Sequence, residues 1–247
     1  MSAWPRRVAG AAWRQVRGAP LTFGWLIILF VTTSIQHSLT PRELDDVLGD
    51  RSTNIANLTS DPLEAFHVLV ASLFWIDGQW WFPYLILFLV FHRPAEQWLG
   101  SVRWFVVGFS AHVIATFLSE GALDRAIDDG LRSPSMVNVL DVGVSYFLAA
   151  IVGVLAYRIV RPWRWVYLAG VALVYGLPLA EQITFTGIGH ASSVLIGLAW
   201  YPITRGRPGA QWDPVASLRR LRRGPTATAG PLRRYRADRP GTRRLDH

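Results

Sequence analysis

The sequence predicts an all-α membrane protein, and three observations carry that reading. Charge-free apolar runs recur six times along the 247 residues, at 21–35, 80–91, 104–118, 142–157, 165–180 and 183–203. Only 17% of residues are charged, where soluble chains average about 25%. The segments between the runs alternate in charge, basic then acidic, as loops on opposite sides of a bilayer do.

The composition excludes several classes at once. Cysteine is absent, so disulfide frameworks, thiolate zinc sites and cysteine catalysis are ruled out. All 25 cationic side chains are Arg, and the six His are scattered with no metal-ligand spacing. No metal and no cofactor is expected.

A spanning helix needs about 20 predominantly apolar residues, so several runs must draw on their polar flanks. Arg6, Arg7, Arg14 and Arg17 precede the first run, and no small-residue cleavage site follows it. An uncleaved first span is expected, not a signal peptide. A seventh apolar stretch, 66–75, is too short to span and ends at Asp77-Gly78 among Trp75, Trp80 and Trp81. Such aromatic clusters favour the membrane–water boundary, which suits an interfacial or re-entrant segment; a long kinked second helix is the alternative.

Charge counts set the orientation. The N-terminal segment has four Arg and no acid; 37–66 has two Arg against six acids; 92–103 has two Arg against Glu96. Residues 119–140 are acidic in balance, 158–164 carry Arg158, Arg161 and Arg164 with no acid, and Glu181 marks the next turn. Six spans place every basic segment inside and both termini in the cytoplasm, in what is expected to be the cell membrane. A span at 66–75 would reverse every later loop.

Three regions follow: a basic N-terminus over 1–20, a six-span domain over 21–204, and an Arg-rich tail over 205–247. Residues 1–204 hold 13 Arg and 14 acids, a net of −1, and the tail holds 12 Arg and three acids, a net of +9. The tail is expected to be disordered and to meet anionic lipid headgroups; no nucleic-acid partner is expected.

Polar groups inside spans are costly and mark function. The fourth run contains Gly143-Val144-Ser145-Tyr146, and the sixth contains His190. Small residues recur every four positions in both: Ser145, Ala149 and Gly153 in one, Gly189, Ser193 and Gly197 in the other. Such rows lie on one helix face and let two membrane helices approach closely. The two helices run in the same direction. Ser145 stands about 20 Å from Arg158 and His190 about 22 Å from Arg205 at helical rise, so hydroxyl and imidazole share a depth. A Ser and a His at one level form a nucleophile–base pair for attack on a carbonyl. Ser145 is equally a packing residue. Asp141 reads most simply as an N-cap of the fourth helix, with orientation of His190 as the alternative. Glu96 and Arg93 read as structural, and His67 and His112 as boundary residues.

These residues resemble the rhomboid intramembrane serine proteases, which have six core helices, a Gly-x-Ser motif on the fourth and a His followed by spaced small residues on the sixth. Gly143-Val144-Ser145 and His190 with Ser193 and Gly197 are similar to these. The acidic residue and Leu-Gly pair after the family's second helix resemble Glu96 and Leu99-Gly100, and the long, partly embedded first loop resembles 37–79. The resemblance covers roughly 20–204. It implies a six-helix rhomboid-like bundle, a Ser145–His190 dyad, and transmembrane protein substrates.

Departures accompany it. The family's His and Asn on helix two, which stabilise the oxyanion, fall at Trp80 and Tyr84; the Gly after the serine is Tyr146; the aromatic that stacks on the histidine is Ala149. Loss of one oxyanion donor costs about 10²–10³ in rate, which backbone amides near Ser145 and the Tyr84 hydroxyl would have to replace. The resemblance therefore implies either an intramembrane endopeptidase with altered oxyanion support, or an inactive relative that binds transmembrane clients.

Overall fold

The computed structural model describes residues 4–78, 80–207 and 211–223. Among these the chain is helical with connecting loops, and its one extended pairing is an isolated parallel bridge between Ile159 and Trp212. Residues up to Trp212 form one unit and those from Asp213 a second.

The first unit opens with α1, Trp4–Gly18, a helix where the sequence suggested only a basic segment. Ala19 breaks it, and Pro20 starts α2, Pro20–Gln36, at a 100° bend; proline suits a first helical turn because the amide it lacks would be unpaired there. Three short helices follow in the first loop: α3, Pro41–Gly49, α4, Ile55–Ser60, and α5, Pro62–Ala71. Thr40, Asn54 and Asp61 cap them in turn, and Thr40 with Glu43 makes a reciprocal capping box.

The α5 helix ends in a tight turn over Ser72–Phe74 and is separate from the next helix, so the stretch 66–75 is a docked hairpin element and not part of a kinked second helix. It is held by side chains that donate to its carbonyls. Trp25 Nε1 reaches Leu73 O at 2.7 Å, Gln36 Nε2 reaches Ile76 O at 2.9 Å, and His112 Nε2 reaches Leu69 O at 2.9 Å. These bonds satisfy backbone groups that a helix end would leave unpaired.

The second apolar run forms α6, Trp81–Leu87, a π-helical turn over Phe88–His92, and α7, Arg93–Leu99. Gly100, at φ +83°, turns the chain from α7 into α8, Ser101–Asp128. That turn explains the Leu-Gly pair, because only glycine adopts this φ without strain. It also brings the Ser101 hydroxyl to 2.6 Å from Glu96 Oε1. Glu96, buried, accepts in addition from the Leu21 and Thr22 amides at 3.0 and 2.8 Å and from the Thr22 hydroxyl at 2.6 Å. One carboxylate thus caps the first turn of α2, where the helix dipole favours negative charge, and ties α2, α7 and α8 together.

The fourth run gives α9, Val144–Leu155; the fifth α10, Trp163–Glu181; the sixth α11, Phe185–Ala199, followed by the short α12, Tyr201–Thr204. In α9 every residue is buried except Ser145. An aromatic cluster surrounds its inner face: Phe147 and Trp25 rings lie 4.8 Å apart, and His92 stacks on Phe88 at 4.1 Å with both of its nitrogens buried and unpartnered among the described residues. By contrast α10 buries only Val171.

Large apolar side chains face outward over α2, α8 and α10, among them Ile27, Phe30, Phe117, Val166, Leu173 and Val174. A water-facing monomer rarely carries such continuous apolar area. Among the described helices, α8 and α10 are long and apolar enough to cross a membrane, and the bent pair Ala12–Gly18 with Pro20–Gln36 makes a third if taken as one span. The elements Val144–Arg158 and Phe185–Ala199 are apolar but shorter. The chain is an all-α integral membrane protein in which each of the six apolar runs lies largely in helix.

In the tail, expected to be disordered from 205 on, Trp212 N donates to Arg158 O at 2.7 Å, and the second unit contains α13, Pro214–Arg223. The rest of that expectation lies outside the described residues.

Candidate active site

The site is built where α9 and α11 meet. Glycines set the separation. A Cβ at Gly153 would stand 2.4 Å from Val194 O, and one at Gly197 would stand 2.1 Å from Ala150 O. Both helices therefore press backbone to backbone at these points, as small-residue faces permit. Ala149 is fully buried beside them, and so is Ser193, whose hydroxyl has no partner among the described residues. The contacts climb both helices in the same sense, from Tyr146–Gly189 to the Ala150 and Gly153 contacts, so the helices pack parallel.

One turn toward the helix N-termini lie the polar residues. Ser145 is the second residue of α9 and half-buried; His190 is half-buried near the middle of α11. Next to Ser145 in the chain is Tyr146, fully buried. Its ring packs on Gly189, where a Cβ would come within 2.4 Å, and stands edge-on to the His190 imidazole at 5.2 Å between centroids. Tyr175 of α10 approaches the same imidazole at 5.9 Å. The histidine thus has two aromatic neighbours although Ala149 replaces the expected one. No hydrogen bond joins Ser145 to His190 among the described residues.

The start of α9 leaves donors open. Its first intrahelical bond runs from Phe147 N to Gly143 O at 3.2 Å. The amides of Val144, Ser145 and Tyr146 have no acceptor among the described residues, the ordinary condition of a helix N-terminus and one that attracts negative charge. Gly143 itself is required here: a Cβ would lie 2.1 Å from the His112 ring.

Asp141 does not cap α9; the cap position is Gly143, without a side-chain bond. The Asp141 carboxylate instead accepts from the Thr53 hydroxyl at 3.2 Å, and its backbone exchanges bonds with Ser52 and Thr53. It therefore fastens the first loop to the start of α9. Asp141 lies in the connection ahead of the helix, and burial raises its pKa to about 6.

Four residues of α8 support this end of the site, a role that the sequence reading gave to none of them. His112, taken as a boundary residue, is fully buried, with Thr116 Oγ1 at 3.5 Å from its Nδ1. The Tyr146 hydroxyl donates to Ser119 Oγ at 3.4 Å. Glu120 is buried with both carboxylate oxygens unpartnered among the described residues. Their spacing of four, three and one is the helical signal that would have revealed a polar face on the third apolar run.

The oxyanion-side positions are arranged differently. Trp80 is 74% exposed, and Tyr84 is half-buried against the main apolar core. No group of three or more His, Cys, Asp or Glu suited to a metal occurs among the described residues.

A family model described as rhomboid-like protein matches residues 14–210. No curated protein and no solved structure matches the chain. The matched span takes in α2 through α12, with the Gly143–Ser145 turn, His190 and the Glu96 cap inside it. The chain belongs to the rhomboid-like protein family.

Proposed function

We propose that this rhomboid-like chain is an intramembrane serine endopeptidase that cleaves transmembrane segments of membrane proteins, with Ser145 as nucleophile and His190 as general base. The observation that carries the reading is the position of Ser145. It is the single residue of α9 that is not buried, it sits in a helix turn whose first three amides have no acceptor among the described residues, and the next residue, Tyr146, brings its ring edge-on to His190 of the adjoining helix. His190 would take the hydroxyl proton as Ser145 Oγ bonds to the carbonyl carbon, then give that proton to the departing amine. The amides of Val144, Ser145 and Tyr146 suit the oxyanion that develops between these steps. In this reading Gly143 and Tyr146 line the site as the chain neighbours of Ser145, and Trp80 and Tyr84 are its oxyanion-side positions, Tyr84 having a hydroxyl where the family has a side-chain donor. Catalytic hydrogen bonds are commonly long before substrate binds, which accommodates the lack of a Ser145–His190 hydrogen bond among the described residues. The thinly anchored α10 is the element beside the pair that local opening would displace first.

The charge pattern supports six spans with both termini in the cytoplasm, in the cell membrane. The test is cleavage of a single-span substrate carrying helix-weakening residues near its acidic-side end, in liposomes. A product that disappears in Ser145→Ala supports the proposal; no product with any destabilised span overturns it.

A second reading, a silent rhomboid-like protein that binds transmembrane clients, is favoured by the missing Ser145–His190 hydrogen bond and the exposed Trp80 indole. Client capture unchanged in Ser145→Ala, without cleavage, would establish it.

A further inference from the structure

At the arginine-rich end of the first unit lies a cavity of about 270 Å³ lined by Arg158, Arg164, Arg205 and Arg207 with Tyr157 and Tyr201. Its guanidinium groups are fixed by neutral partners. Arg158 Nη1 donates to Pro94 O at 2.5 Å, Arg164 donates to the Ala156, Ile159 and Tyr157 carbonyls, and Arg207 donates to Leu99 O. Arg205 lies 5.0 Å from the Tyr201 ring centroid. A guanidinium has five donors, so each keeps donors to spare, and Arg207 Nε is buried without any partner among the described residues. Among the described residues no carboxylate forms an ion pair with any of the four. The two ion pairs among the described residues, His67–Glu64 and Arg125–Asp129, lie elsewhere. Burial and the nearby positive charge of Arg103 lower the pKa of Arg207, the mark of a region short of anions.

Beside it opens a second cavity, of about 460 Å³, between the π-helical turn with α7 and the α9–α10 connection with Tyr167 of α10. Val90, Phe91, Leu155, Ile159 and Trp212 make it apolar, and Arg158 belongs to both. Four guanidiniums without an ion-pair partner among the described residues, beside an apolar slot, match a phosphate joined to a hydrocarbon chain.

We propose that this end of the protein is a binding site for an anionic phospholipid, its phosphate among Arg158, Arg164, Arg205 and Arg207 and an acyl chain in the slot beside Val90 and Trp212. The apolar slot is what selects a lipid over a soluble phosphate. Arg158 and Arg164 also brace the turn between α9 and α10, so an occupied site would fasten α10 at its basic end.

The test titrates phosphatidylglycerol, phosphatidylcholine and glycerol phosphate separately into the full-length protein in neutral detergent and reads the melting temperature. Phosphatidylglycerol is expected to raise it, while phosphatidylcholine and glycerol phosphate leave it unchanged. The double variant Arg205→Gln with Arg207→Gln should weaken the apparent phosphatidylglycerol affinity roughly 30-fold. Arg205→Gln alone, at an exposed position, should weaken it about fivefold and serves if the double variant does not fold. Val90→Trp, which fills the slot, should erase the preference for phosphatidylglycerol over glycerol phosphate. Replacing Arg219, Arg220, Arg222 and Arg223 by Gln should leave the shift in place. Equal response to the two phospholipids, equal response to glycerol phosphate, or wild-type affinity in the Arg205 and Arg207 variants would overturn the proposal.

Discussion

The Tyr146 ring stands edge-on to the His190 imidazole, 5.2 Å between centroids, and rests on the bare backbone of Gly189. One tyrosine therefore sets the distance between the helix that carries Ser145 and the helix that carries His190. A Cβ at residue 189 would strike its ring. Gly189→Ala is expected to destabilise the protein by about 1–3 kcal/mol, as overpacking does, and to reduce Ser145 reactivity at least tenfold. Tyr146→Leu in the same chain should restore part of the loss, because neighbours in contact do not add. Full additivity in a double-mutant cycle would contradict this account of the spacing.

The glycines of the α9–α11 contact should separate sharply from glycines with open space around them. Gly153→Ala and Gly197→Ala each place a methyl within 2.4 Å of a facing carbonyl, whereas nothing lies within 4 Å of a Cβ at Gly121 in α8 or at Gly170 in α10. The first two should lower stability by about 1–3 kcal/mol. Gly121→Ala should raise it by about 0.5–1 kcal/mol, since alanine loses less backbone entropy in a helix. Unfolding in detergent with increasing denaturant reads both signs, and a shared sign would be a failure.

Glu96 gives a prediction about charge and geometry together. Its two oxygens accept four bonds from Leu21, Thr22 and Ser101. Glu96→Ala should cost about 2–4 kcal/mol, the range for removing a buried charged acceptor. Glu96→Gln should cost nearly as much, because its amide turns an N–H group toward donors. A Gln variant as stable as wild type would show that the cap does not need two acceptors.

Asp141 makes stability depend on pH. Burial raises its pKa from 3.8 to about 6, outweighing the hydrogen bond from Thr53, which lowers it. The folded protein binds that proton more tightly than the unfolded chain, so this contribution is complete below about pH 4 and is lost as pH rises through 6. Asp141→Asn keeps an acceptor for Thr53 and removes the titration. Its stability relative to wild type should therefore increase between pH 4 and 7, by up to about 3 kcal/mol. A constant difference across that range would contradict the assignment.

The sequence carried the helices better than their supports. Apolar runs mark segments that must bury backbone polar groups in a helix, and each of the six runs lies largely in one. The Ser145, Gly153, Gly189 and Gly197 faces were legible because small residues at a spacing of four have one dominant use in such helices. The docking of 66–75 was only half legible: its length excluded a span, but the bonds from Trp25, Gln36 and His112 that hold it come from helices 40 or more residues away. Long-range partners leave no local trace. The same holds for Asp141, whose nearest local use, a cap, was displaced by Ser52 and Thr53. Tyr175 was invisible because α10 is apolar nearly throughout and nothing in its periodicity singles out the ring near His190. The second unit's α13 was hidden by arginine content, which reads equally as a solvated chain.

The central claim is that Ser145 is an activated nucleophile served by His190. Labelling of the purified protein with a fluorophosphonate probe, with the modified residue located by mass spectrometry, tests it most directly. The account predicts modification at Ser145 in wild type, none in Ser145→Ala, and at least a hundredfold slower labelling in His190→Ala, in line with loss of a general base. Wild-type protein that stays unlabelled, or labelling that proceeds equally without His190, would contradict it.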